Sequence, residues 1–194
     1  MRHVRQDYGH TWREHVRKGP PLLLCHDIVE EGHLSEEQAS WRTCIHNAGL
    51  LLSKARASNW RVAHAFKSDV TPQPIQTVRP LPEEPVFRCK GPSAFTSDGL
   101  CSLIGAVTPS QILLVGRSLL PMCLASAAIC ADLQLPLSIV SDGISIAKPA
   151  QSDIRDTRDM DVAHLLPLFA NLTTTAQVLK LASSIALVSF KELA

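Results

Sequence analysis

Two short runs of unbroken apolar residues constrain this chain most: Leu22-Leu23-Leu24-Cys25-His26, closed by Asp27, and Ile112-Leu113-Leu114-Val115-Gly116. Runs of this length without polar alternation suit strands buried on both faces, as in a parallel sheet clothed by helices. The intervening sequence supplies the helices. Ser35-Glu36-Glu37-Gln38 has the form of a capping box, and Trp41, Ile45, Ala48, Leu51, Leu52 and Ala55 then recur at helical spacing. Trp60 to Lys67 alternates like a strand, and residues 71–85, with five prolines, read as a long irregular loop of a length that is often functional. Val86 to Lys90 reads as a short strand and about Ser97 to Ala106 as a helix. After the second apolar run come a helix from about Pro121 to Leu133 and a strand from Leu137 to Ser141. A helix near Asp159–Pro167, a strand near Phe169–Leu172 and a helix from Thr174 to Ala182 complete the series. Strands alternating with helices predict an α/β chain: a Rossmann-like three-layer sandwich, its mainly parallel sheet covered on both faces. Residues 1–20 form an Arg- and His-rich arm, and residues 21–194 form one domain.

Composition narrows the function. Lys and Arg total 19 against 18 Asp and Glu, a net charge of +1, and aromatics are few, so a nucleic-acid partner is not expected. The longest apolar stretch, Met122 to Ala131, is half of the roughly 20 residues a membrane span needs. The N-terminal residues carry no apolar signal segment, and the six cysteines form no Cys-x-x-Cys pair, which favours reduced thiols and a cytoplasmic protein.

In such sheets ligands sit beyond the carboxyl ends of the strands. Asp27 ends the first strand, Lys90 precedes a Pro-Ser-Ala-Phe turn, and Cys123 opens an apolar helix after the Val115-Gly116 strand. A thiol at a helix N-terminus beside a lysine is activated, a carboxylate can take its proton and later activate water, and backbone N–H groups of the turn can hold an oxyanion. That set suffices for acyl transfer from an amide to a thiol, followed by hydrolysis.

From residue 21 to about 182 the sequence resembles the isochorismatase-like cysteine hydrolases, which include nicotinamidases, N-carbamoylsarcosine amidases and isochorismatases. The resemblance rests on the order and spacing of Leu22 to Asp27, Asn47 with Leu50-Leu51 and Ala55-Arg56, and Lys90 before Ser93-Ala94-Phe95. It continues through Leu114-Val115-Gly116, Cys123-Leu124-Ala125-Ser126-Ala127 and Val140-Ser141-Asp142. It implies a triad of Asp27 as base, Lys90 as polarising cation and Cys123 as nucleophile, with an oxyanion hole at Leu120 and Cys123. It also implies a small-molecule substrate, no cofactor, and assembly as a dimer or tetramer. Two departures bear on the site. Gly116 to Cys123 is one position longer than the family's usual gap, so that an ungapped register puts Met122 at the nucleophile position. Lys90 to Ser93 is one position shorter than expected. The metal-binding branch's Asp-x-His pair is absent after the second strand, where Ser68-Asp69-Val70 stands, and no metal is expected. His26 and His64 read as satisfied core or pocket-edge histidines. Three functions are considered in order: a hydrolase cleaving a small amide C–N bond through a Cys123 thioester, an inactive binding or assembly module, and a vinyl ether hydrolase without a cysteine nucleophile.

Overall fold

The structure, a computed structural model, describes residues 19–30, 38–67, 73–117, 122–145 and 164–181. The arm over 1–18, the capping box at Ser35, the turn over 118–121 and most of the helix expected near Asp159 lie outside the described residues.

Among the described residues six strands form one sheet: β1 (Leu22–His26), β2 (Arg61–Lys67), β3 (Val86–Cys89), β4 (Ile112–Arg117), β5 (Leu137–Ser145) and β6 (Asn171–Thr173). Their order is β3-β2-β1-β4-β5-β6, and every pairing is parallel. The helices are α1 (Gln38–Ala57), α2 (Asp98–Val107) and α3 (Leu124–Asp132), with residues 175–181 also helical. The expected three-layer α/β sandwich is the architecture found.

Side-chain alternation explains the layers. Leu22 and Leu24, with Ile112 and Leu114, point into one core that holds Leu100 and Ile104 of α2 and Ala127 and Cys130 of α3. Leu23 and Cys25, with Leu113 and Val115, point the other way, against Trp41, Cys44, Ala48, Leu51, Leu52 and Ala55 of α1 and Val178. Each leucine of β1 and β4 is fully buried, and each contributes about 1.5–3 kcal/mol through removal of its surface from water. This is why the two runs lack alternation: both faces are interior.

Three details shape the carboxyl edge of the sheet. Gly116 has φ +145°, and a Cβ there would run into the His26 carbonyl, so only glycine lets β4 pass β1 at this point. The β4–β5 register shifts between Leu114 and Gly116, and β5 runs on to Ser145, beyond the Ser141 expected. The Asp142 carboxylate there accepts from the Thr175 N–H (2.8 Å) and hydroxyl (3.0 Å), and Asn47 Nδ2 donates to the Asp142 carbonyl (2.6 Å). Asp142 is thus a brace between β5, α1 and the helical residues 175–181.

The proline-rich segment, expected as an irregular loop, is pinned by one buried carboxylate. Glu84 accepts from Arg56 Nε (2.8 Å) and Nη2 (2.9 Å), the Leu81 N–H (2.9 Å) and His64 Nε2 (3.0 Å). Burial alone would raise its pKa, but the bonds from Arg56, Leu81 and His64 together bring it down to about 2. His64 is a satisfied core histidine, as its sequence setting implied.

Candidate active site

The carboxyl ends of β1, β2, β3 and β4 bring Asp27, Lys67, Cys89 and Arg117 to one edge of the sheet. Asp27 follows β1 directly and adopts a left-handed backbone, φ 54°, a conformation aspartate tolerates better than most residues. Its N–H donates to the Ala65 carbonyl (2.9 Å), its Oδ1 accepts from the Lys67 N–H (3.1 Å), and its Oδ2 lies 3.4 Å from Lys67 Nζ. Lys67 is in turn tied to β3, since Arg88 Nη1 donates to its carbonyl (3.2 Å). The proline-rich segment flanks the exit of β1, with Val29 bridging Pro74 and the Glu30 N–H donating to the Gln73 carbonyl (2.8 Å).

The three residues of the expected triad are placed differently. Asp27 is buried at the strand end, with Lys67 as its cation. Lys90 is 80% exposed, and its Nζ lies 3.9 Å from the carboxylate of Asp98, itself 97% exposed. The reason is strand parity: side chains flip with each residue, and at the end of β3 it is Cys89 that faces inward and Lys90 that faces out. Cys123, leading into α3, is fully buried in the core beside Met122, with their sulfurs 4.0 Å apart. Burial pushes the Cys123 thiol up to about 12, with Cys44 as a lesser cause. Leu120 lies outside the described residues.

Two residues that sequence reasoning passed over belong to this edge. Lys67 is one; its signal was a lysine closing the strand next to the one that Asp27 closes. Cys89 is the other, and its signal was the Lys90-to-Ser93 spacing, one position short. Its thiol donates to the Ala94 carbonyl (3.6 Å) and is raised to about 11, first by burial and then by the Asp27 charge. The same charge acts on Arg117, whose pKa is lowered by burial and supported by Asp27. Asp27 therefore shares its electrostatic surroundings with Cys89 and Arg117. The turn after β3 braces α3 through Ser93 and Ser126, whose hydroxyls lie 3.2 Å apart in the core.

His26, the last residue of β1, differs from the satisfied histidine expected. It is fully buried, and neither ring nitrogen has a hydrogen-bond partner. Burial lowers its pKa to about 4, with Asp27 opposing, so the ring is neutral at physiological pH. Among the described residues no group of three or more His, Cys, Asp or Glu side chains could hold a metal ion, and no helix is long and apolar enough to cross a membrane.

The fold has many solved counterparts. A cysteine hydrolase from Pseudomonas syringae pv. phaseolicola is similar with a TM-score of 0.72 at 15% identity, over 88% of this chain and 94% of that one. An N-carbamoylsarcosine amidase from Thermoplasma acidophilum gives 0.62 at 17%, over 80% and 96%. A ribonuclease from Caenorhabditis elegans gives 0.66 at 15%, over 84% and 81%. No family model matches the sequence, and no curated protein matches it. The chain thus has the isochorismatase-like fold, the one its sequence resemblance implied. These three proteins are named for different activities, so the fold alone does not select a reaction.

Proposed function

We propose that the strand-end site binds a small molecule and does not run the thioester cycle. The observation that carries this reading is the environment of the candidate nucleophile. Cys123 is closed off from solvent in an apolar core, its thiol protonated at any physiological pH, and a neutral buried thiol is a poor nucleophile. The Lys90 ammonium stands outside the site, and the Asp27 carboxylate is engaged by Lys67.

A second reading, cleavage of a small amide C–N bond through a Cys123 thioester, is favoured by one placement. Asp27 closes β1, and Cys123 leads into α3 just beyond β4, the neighbouring strand. Asp27 would then take the thiol proton and later that of water, and Lys67 rather than Lys90 would balance its charge. The likeness to a cysteine hydrolase and an amidase supports this reading through the fold.

One experiment separates the two. The protein is incubated with a panel of small amides at pH 7 and pH 9, with ammonia release and thermal unfolding followed on the same samples. Stabilisation by at least one compound without ammonia release is the expected result. Turnover that Cys123→Ser abolishes would establish the hydrolase reading instead.

A further inference from the structure

We propose that His26 is the ligand-reading residue of the strand-end site, hydrogen-bonding an uncharged group that both donates and accepts, such as a hydroxyl or a carboxamide. The inference rests on the binding reading and names the chemistry bound.

Buried polar atoms are almost always paired, and His26 carries the only buried side-chain nitrogens or oxygens among the described residues that are not. Both of its ring nitrogens are orphaned, in a central strand of the sheet, where each unmet bond costs stability. A bound group that met those bonds would relieve that cost.

Its place says where that partner would lie. Leu22 and Leu24 face the core shared with Met122 and Cys123, and two-residue alternation puts His26 on that same face. It stands at the carboxyl end of β1, next to Asp27, the position where ligands enter sheets of this kind. Its lateral neighbours in register are Ala65 on β2 and Gly116 on β4, one with a minimal side chain and the other with none. The ring is therefore flanked by little bulk. It is also closed off from solvent, so a ligand reaches it only when a neighbour gives way.

The ligand's chemistry is set by the ring. A neutral imidazole offers one N–H donor and one bare acceptor nitrogen, and so suits a group with both functions. A carboxylate supplies acceptors alone and would meet the Asp27 charge next in the chain.

The test uses the full chain labelled with 15N, with acetamide as the probe and acetate as its charged isostere, near pH 7.5. The His26 ring nitrogens should shift saturably with acetamide, and acetate should bind at least about tenfold more weakly, the worth of one hydrogen bond. His26→Leu should lose about tenfold in acetamide affinity, read at the Lys67 amide, and should melt at a higher temperature without acetamide because the orphaned nitrogens are gone. Should that variant not fold, His26→Gln, which keeps a donor and an acceptor, should hold the affinity within about threefold while His26→Met loses it. If the Lys67 and Arg117 amides shift with acetamide and the His26 ring does not, the binding site stands and His26 is not its reader. If none of them moves, both the inference and the binding reading fall. A long-lived water on the ring that persists at saturating acetamide makes His26 a hydrated structural histidine and overturns the inference.

Discussion

Lys67 Nζ lies 3.4 Å from the Asp27 carboxylate, while Lys90, one strand further out, faces solvent beside Asp98. Asp27 thus takes its cation from β2, the strand beside its own, rather than from the turn after β3. The Lys67 side chain is about half exposed, so the ion pair itself is worth no more than about 1 kcal/mol. Its importance lies in orientation: the same carboxylate also accepts the Lys67 N–H.

Two substitutions at Asp27 should therefore separate charge from geometry. Asp27→Asn keeps an acceptor for the Lys67 N–H and tolerates the left-handed backbone, so urea unfolding should shift by less than about 1 kcal/mol. Asp27→Leu loses the acceptor and strains φ 54°, and should cost about 2–3 kcal/mol. Equal losses in the two variants would mean that the charge, not the backbone, holds this corner.

Gly116→Ala should be among the most damaging single-methyl changes in the chain. The added carbon meets the His26 carbonyl at a φ that L-residues rarely adopt, so a loss of about 3 kcal/mol or more is expected, read from the urea midpoint. A loss below about 1 kcal/mol would show that β4 can separate from β1 there at little cost.

Thiol labelling by iodoacetamide, resolved by peptide, should track exposure. Cys101 is the exposed cysteine among the six and should react first, although burial and Asp98 raise its pKa. Cys123 should remain unlabelled in the native protein between pH 7 and pH 9, and should react only on unfolding. Early labelling of Cys123 would favour the hydrolase reading.

Stability should fall with acid in two windows. The folded pKa of His26 is depressed from 6.5 to about 4, so its contribution is complete above pH 6.5 and is lost as the pH falls towards 4. His64 is lowered too, by burial against the pull of Glu84, so its contribution is likewise lost as the pH falls below 6.5. Glu84 is depressed from 4.5 to about 2, so its contribution is present above pH 4.5 and is lost on descent towards pH 2. In urea midpoints measured against pH, His26→Leu should flatten the upper window and Arg56→Met the lower. A variant curve parallel to the parent would refute the corresponding assignment.

The fold was legible because its strongest signals are local. Leu22–His26 and Ile112–Gly116 had to be interior strands, and the period from Trp41 to Ala55 had to be a helix. Asp27 was legible for the same reason, as the first acidic residue after an apolar run. The rest of the site depends on parity and register, which no single segment reveals. One step along β3 exchanges Cys89 for Lys90 on the inner face. Lys67 looks like an ordinary solvated lysine until β2 is paired with β1. The unmet hydrogen bonds of His26 depend on Ala65 and Gly116, which reach it only through the assembled sheet.

The strand order carries a consequence for synthesis. Of the six strands, β1 leaves the ribosome first, yet it ends in the middle of the sheet, between β2 and β4. Until Arg117 has been translated, one backbone edge of Leu22–His26 has no mate, and the α3 side chains that share the core of Leu22 and Leu24 are still to come. A nascent chain in that state offers a sticky, template-like edge to its neighbours on a polysome. Expression of this protein should therefore respond to translation speed across the stretch before β4, and to chaperones that shield an emerging strand.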